Sequence, residues 1–329
     1  MGANTARQMG DSSEKKINQF TFAFYNLENL FDTKNDPKTL DDDFIPTSRK
    51  NWNEKRLQKK IDNLGKIIHQ IGYNDIYHPP VVLGVSEVEN AFVLKQLVES
   101  EYLKNKGYDF IHFDSPDERG IDTAMLYRKQ YFTVTHSEAL TLQLINENGI
   151  RDYTRDILHI TGNLEKEKVH ILINHWPSRR AGTQETSHKR IAAAKKNREI
   201  INGIQKKDPD ARVIVMGDFN DNPQSDSVKN LVGTSFYNPM ELLHTKLAGS
   251  LSYKGDWNLF DQILLSNNFL QQYGNTFRFK KAEIFDPDSL KDYHGRNKGI
   301  PFRTYVGKKY IGGFSDHFPV YGVFTSHSK

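Results

Sequence analysis

The chain of 329 residues contains no cysteine. Disulfides and thiolate metal centres are thereby excluded, and a bound metal would have to rest on oxygen and imidazole donors. Long hydrophobic runs are missing too. Residues 1–16 are small, polar and charged, without the apolar stretch of a signal peptide. Nothing approaches the roughly 20 apolar residues of a spanning helix, so no integral membrane association is expected. The expected compartment is the cytoplasm, with secretion the alternative if an export signal has been trimmed away.

Neither sign of charge dominates: 45 basic and 41 acidic residues leave a net +4. That balance is compatible with a polyanionic substrate, yet far from an electrostatic nucleic-acid binder, and an ordinary mixed-charge surface explains it as well. There is no Gly-rich nucleotide-binding loop and no Ser-x-Gly nucleophile elbow, so nothing calls for a covalent intermediate. Internal repeats and low-complexity linkers are also lacking. Residues 1–18 read as a disordered lead-in and 19–326 as one domain, expected to be monomeric.

What is present is enough aromatic and aliphatic material for a large core, 12% and 37% by the aromatic and hydrophobic counts. Strand-like runs fall at residues 20–25, 81–85, 109–113, 123–127, 132–142, 156–164, 169–173, 213–216, 261–265 and 320–324. Helical spacing of apolar residues marks 54–71 and 185–205, with a shorter helix through Phe92, Leu94, Leu97 and Val98. The interleaving points to a single α/β domain. Residues 33–50 read as a long loop, and 280–309, polar and basic with Gly and Pro, as a surface insertion.

The polar residues at the strand ends carry the chemistry. Asn26, Glu87, His175 and Asp218 each follow an apolar run, while Asp261 and Asp316-His317 stand at the start of one. If neighbouring strands run in opposite directions, these positions fall on one rim. Any single one is as readily a turn former, but carboxylates, amides and imidazoles recurring in this way make a kit for holding a divalent cation and a phosphate. Gly217 lets the backbone turn sharply or lets a substrate come close to Asp218. Arg179 and Arg180 open a basic helix extended by Lys189 and Arg190, and forked guanidinium donors suit phosphate oxygens. Trp176 is either a packing residue or a stacking platform. Ser252, Tyr253 and Trp257 form either a substrate wall or a buried hairpin.

The ordered set Asn26-x-Glu28, Ser86-Glu87-Val88, Asn174-His175, Gly217-Asp218-Phe219-Asn220, Phe260-Asp261-Gln262-Ile263 and Ser315-Asp316-His317-Phe318-Pro319 resembles the endonuclease/exonuclease/phosphatase family. The resemblance spans residues 20–324. It implies a DNase I-like fold, a four-layer α/β sandwich whose two central, mostly antiparallel or mixed sheets are flanked by helices. It also implies a metal-dependent hydrolase of phosphate esters, most plainly a nuclease, with Mg²⁺ as the expected cation and Mn²⁺ or Ca²⁺ as alternatives. Glu87 and Asp316 are then the expected metal ligands, with Glu89 competing with Glu87. Asn26 would orient phosphate or water beside the metal, and Glu28 would support that side.

Asp218 would orient or deprotonate the attacking water, and Asn220 would donate to a phosphoryl oxygen. His317, held by Asp261, would meet the developing charge with help from His175. Two other readings stay open: an inositol-phosphate or phospholipid esterase on the same fold, and an inactive binding or scaffold protein. The loops at 33–50 and 280–309 are expected to decide the substrate.

Overall fold

Phe20, Phe22 and Phe24 alternate with Ala23, Tyr25 and Leu27, and the two sets enter different cores. A strand with period two sends successive side chains to opposite faces, so this stretch must be covered on both sides. The structure, a computed structural model, describes residues 17–146, 148–271 and 277–327. The expected disordered lead-in lies outside the described residues up to position 16. Ile17 and Asn18 are already strand, paired with His327 and Ser326.

The first strands are β1 (Ile17–Leu30), β2 (Val82–Val88), β3 (Tyr108–His112), β4 (Asp122–Arg128), β5 (Phe132–Leu140) and β6 (Ile157–Leu164). There follow β7 (Glu167–His175), β8 (Arg212–Asp218), β9 (Phe236–Tyr237), β10 (Asp261–Ser266), β11 (Phe277–Ile284) and β12 (Val320–His327). One six-stranded sheet has the order β11-β12-β1-β2-β4-β3 and the other β9-β10-β8-β7-β6-β5. Their inner faces share a core of Phe22, Phe24, Met125, Ile171, Ile173, Met216, Ile263 and Phe324, among others.

Helices cover the outer faces. The helices α1 (Glu54–Gln70) and α2 (Ala91–Val98) bury Leu57, Ile61, Leu64, Val93 and Leu97 on the first sheet. On the second, α3 (Ser187–Lys207) and α4 (Asp226–Val232) bury Ala193, Ala194, Ile201, Val228 and Leu231. Asn53 and Asn90 cap α1 and α2 by accepting backbone N–H groups of the first turn. The result is the expected four-layer sandwich. Among the described residues, no helix is long and apolar enough to cross a membrane.

Two expectations change. Residues 280–284 belong to the edge strand β11, paired with β12 across a register shift near Lys281. Charged residues on both faces hid it, as suits an edge strand open to water. The rim also arises only in part by the antiparallel rule. The β1–β2 and β7–β8 pairs are parallel, so their C-terminal ends coincide. The antiparallel rule holds for β10 against β8 and for β12 against β1, each of which brings its N-terminal end to that rim.

Candidate active site

On the second sheet Asp218 is in register with His175 on one side and Asp261 on the other. Two residues back on the same strands stand Met216, Ile173 and Ile263, all in the core between the sheets. The period that buries that apolar row therefore places His175, Asp218 and Asp261 on the same inner face, one step nearer the rim. Gly217 proves to have a structural role: a Cβ there would lie 2.3 Å from the Asn174 carbonyl oxygen. The close approach is that of the neighbouring strand rather than a sharp turn or a substrate.

The first sheet supplies the facing group by the same rule, since Asn26 continues the row Phe20, Phe22, Phe24. Its Nδ2 donates to Asp218 Oδ2 at 3.0 Å, bridging the sheets, and its Oδ1 accepts the Glu28 N–H at 2.9 Å. Glu87 sits at a register shift in β2 with φ of 60°, so the bulge breaks the alternation it would share with Glu89. Glu87 Oε2 accepts the Asn29 N–H at 3.0 Å, and Oε1 faces His175 Nε2 at 3.8 Å. Glu89 instead accepts the Asp32 N–H at 2.6 Å, and burial pushes its carboxyl up to about 8. Of the two, only Glu87 faces His175.

The segment before β12 closes the site. Ser315 Oγ donates to the Asn26 carbonyl at 2.7 Å and accepts the His317 N–H at 3.1 Å. His317 Nδ1 lies 2.6 Å from Asp261 Oδ2, and its Nε2 lies 4.0 Å from Asp218 Oδ2. Burial pulls the imidazole toward neutrality, but the Asp261 carboxylate outweighs it, and the net shift is well above the usual histidine range. Burial, followed by Asp261, raises the Asp218 carboxyl to about 7. His175 goes the other way. Burial, then the Arg155 and Arg119 charges, hold it well below its usual value, as a neutral ring.

Asp218 Oδ1 accepts the Asn220 N–H at 2.9 Å, while the Asn220 side chain donates to the Trp176 carbonyl at 2.9 Å. Asp316 is partly exposed, 3.8 Å from Arg303 Nη2 and 3.9 Å from His317 Nε2. Glu28 is buried. Its Oε2 accepts the Thr304 N–H at 2.7 Å and lies 3.6 Å from Lys60 Nζ. Burial pushes Glu28 up and Lys60 down, each opposed by the other's charge.

The basic helix is less available than its composition suggests. Arg179 Nε donates to the Asn220 carbonyl at 2.7 Å and Nη2 to Asp221 at 2.6 Å, so the fork props up the Asp218–Asn220 loop. Arg190 is buried against Asp221 at 2.8 Å, and Lys189 is paired with Asp152. Arg180 is exposed. Trp176 is a packing residue, buried against Phe219, with its indole N–H on Asn174 Oδ1. Residues 251–258 form a hairpin whose Trp257 stacks on Phe318, beside His317.

Sequence reasoning missed Lys60, Arg155 and Arg303. Lys60 had a signal, because it stands within the apolar stripe of α1 next to Ile61. Arg155 is buried, donating to Asp117 at 3.0 Å and to the Trp176 carbonyl at 2.7 Å, and no periodic pattern marks it.

Glu87, Asp316, Glu28 and Asn26 all offer oxygen donors, though Glu28 is already engaged by Thr304 and Lys60 and Asn26 Oδ1 by the Glu28 N–H. Such a hard set fits Mg²⁺, and equally Mn²⁺ or Ca²⁺, better than a thiophilic metal. The free-standing Glu87 Oε1 and the partly exposed Asp316 are open to a cation. Donor atoms of Asp218, Asp261 and His317 also lie within 4.8 Å of one another. In that trio His317 Nδ1 is already engaged by Asp261 Oδ2.

The sequence profile of the Endonuclease/Exonuclease/phosphatase family matches residues 21–326. No curated protein matches the sequence. Solved structures do. An endonuclease/exonuclease/phosphatase family protein from Bacteroides thetaiotaomicron superposes with a TM-score of 0.58 at 17% identity, covering 95% of this chain and 100% of its own. The mannosyl-6-phosphatase Bt3783 of the same organism gives 0.56 at 18%, with 92% and 98% covered. TDP2 from D. rerio, complexed with single strand DNA product, gives 0.53 at 17%, with 93% and 98% covered. At these identities the likeness is one of fold. Family profile, fold and ordered motifs agree, and the chain belongs to the endonuclease/exonuclease/phosphatase family, whose members hydrolyse phosphate esters.

Proposed function

We propose that this protein is a divalent-cation-dependent phosphodiesterase that cleaves nucleic acid by in-line attack of water on phosphorus. The observation that carries the reading is the convergence, in one buried site, of the Asp218 carboxyl with the Asp261-bonded His317 ring, 4.0 Å apart. Asp218 lies at about 7, and His317 is bonded to Asp261 at 2.6 Å. A base acts best with a pKa near the working pH, so Asp218 is suited to orient and deprotonate the water. Asn26 and the Asn220 N–H fix the direction of its two oxygens.

His317 acts as a protonated donor at Nε2 toward the phosphoryl oxygen that gains charge, and Asp261 keeps the ring in that state. Neutral His175 and the Asn220 amide add donors that need no proton transfer. Glu87 and Asp316 hold the cation, with Asn26 and Glu28 supporting that side. When bound it supplies charge neutralisation on the phosphate and the leaving oxygen. The nucleic-acid substrate takes support from the single-strand DNA product seen on this fold in TDP2 from D. rerio. A decayed scaffold would be expected to lack a member of this set, and here the set is complete.

Nicking of supercoiled plasmid in Mg²⁺ tests the reading. Cleavage abolished both by EDTA and by Asp218→Ala is the expected result. Folded protein that leaves the plasmid intact while hydrolysing small phosphate esters would remove the nuclease assignment and move the substrate to inositol phosphates or lipid head groups.

A further inference from the structure

The two loops marked as polar and irregular meet beside the catalytic rim. Tyr305 Oη donates to the Lys50 carbonyl at 3.2 Å, joining the first loop to the second. Behind them Lys60, from α1, donates to Thr304 Oγ1 at 2.6 Å and to the Phe314 carbonyl at 2.7 Å. Between the loops lies a cavity of ≈ 190 Å³ with a mainly polar lining, including Glu28, Asn29, Lys50, Arg303, Thr304 and Tyr305.

The cavity adjoins the reacting groups. Its floor, Glu28, gives its N–H to Asn26, which bonds Asp218. Its wall, Arg303, flanks Asp316, the neighbour of His317. Size limits the occupant. Pockets for drug-sized ligands run from about 300 Å³ upward, and water fills about 30 Å³ per molecule. Some 190 Å³ accommodates a small group such as a phosphate.

Charge limits it further. Lys50 Nζ lies 3.8 Å from the centre of the Phe44 ring and 3.4 Å from Asp43, whose side chain is 69% exposed. Arg303 Nη2 lies 3.8 Å from Asp316. Both ion pairs are longer than the roughly 2.7–2.9 Å of a charge-assisted hydrogen bond, so each cation retains donor capacity. The one carboxylate on the floor is balanced from behind by Lys60 and the Thr304 N–H.

We propose that this cavity binds a second phosphate of the substrate, adjacent to the one being cleaved, through Lys50 and Arg303. The inference rests on the phosphoesterase reading and specifies its substrate as one carrying at least two phosphates. Neighbouring phosphates occur in a polynucleotide and in a polyphosphorylated sugar alcohol, and the chemistry recognised is the same in both.

The test compares kcat/KM in Mg²⁺ within two pairs of substrates. One pair is a thymidine dinucleotide with and without a terminal phosphate. The other is an inositol bisphosphate and the corresponding monophosphate. In at least one pair the added phosphate should raise kcat/KM by about tenfold or more, the effect of one good ionic contact. Lys50→Met and Arg303→Met should each pull that ratio toward one, and Lys50→Arg should keep it. The pair that responds identifies the source. Thermal melting confirms that each variant is folded, and Lys50→Arg guards against a loss that is merely structural. Equal ratios in the wild-type protein and in both Met variants would overturn the phosphate site while leaving hydrolysis itself intact. Folded wild-type protein that nicks plasmid yet hydrolyses none of the four would overturn the phosphate site alone. Protein inactive on plasmid and on all four would overturn the phosphoesterase reading as well.

Discussion

Asp218 and Asp261 are the same chemical group on adjacent strands, and their partners give them different tasks. Asp261 is bonded to an imidazole, whereas Asp218 is bonded only to neutral amides. Residue types at strand ends were legible in the sequence, because an apolar run stops visibly at each of them. The tasks of the cations were not, since Arg179 and Arg190 look like surface charges until their carboxylate, Asp221, is in place. Lys60 is the sharpest case. Its Nζ is buried with Glu28, Thr304 and the Phe314 carbonyl. Lys60→Met would strand a buried carboxylate, and the expected loss is about 3–5 kcal/mol of stability. Adding Glu28→Gln should recover part of it, and urea unfolding of the two variants measures both.

A second residue-scale expectation concerns pH. Burial, then neighbouring His159, pushes His170 down to about 4. An unfolded histidine protonates near about 6.5, so below that pH the unfolded chain takes up a proton that the folded chain refuses. Stability should be complete above about pH 6.5 and fall as the pH drops toward about 4, by on the order of 3 kcal/mol at most. Urea midpoints across this range check the slope. His170→Gln should flatten it, and an unchanged slope would contradict the assignment.

Among the elements, period and length identified nearly every strand of both sheets. The apolar stripe of α1 places its first turn at Glu54, where the helix begins. The strand β11 escaped because its charged residues imitate a loop. The direction of pairing escaped as well: a strand end shows that a rim exists, and only the topology shows which ends share it. Two glycines separate packing from function at this scale. A Cβ on Gly84 would meet Met216 Sδ at 2.8 Å, a flexible side chain able to move, whereas one on Gly217 meets the β7 backbone. Gly84→Ala should cost about 1 kcal/mol and Gly217→Ala about 3 kcal/mol or more. The second should also lower activity, since it displaces Asp218 against His175. Thermal melting with an activity assay distinguishes the two, and equal, small effects would contradict the close-approach argument.

For the molecule as a whole, the site belongs to neither sheet alone. The second sheet holds His175, Asp218 and Asp261, the first holds Asn26 and Glu87, and the segment entering β12 brings His317 onto both. The ordered motifs made this convergence legible without the fold. The cavity between the 33–50 and 285–309 loops was not legible, because loop contacts such as Tyr305 to Lys50 follow no period. The central claim is that this convergence hydrolyses phosphate esters through Asp218 and His317. The measurement that tests it most directly is kcat/KM on bis(p-nitrophenyl) phosphate in Mg²⁺ for the wild-type protein, Asp218→Asn and His317→Gln, with melting curves alongside. The account predicts losses of at least about a hundredfold in each variant, with folding retained. Variants that stay within a few-fold of an active wild-type protein would contradict it.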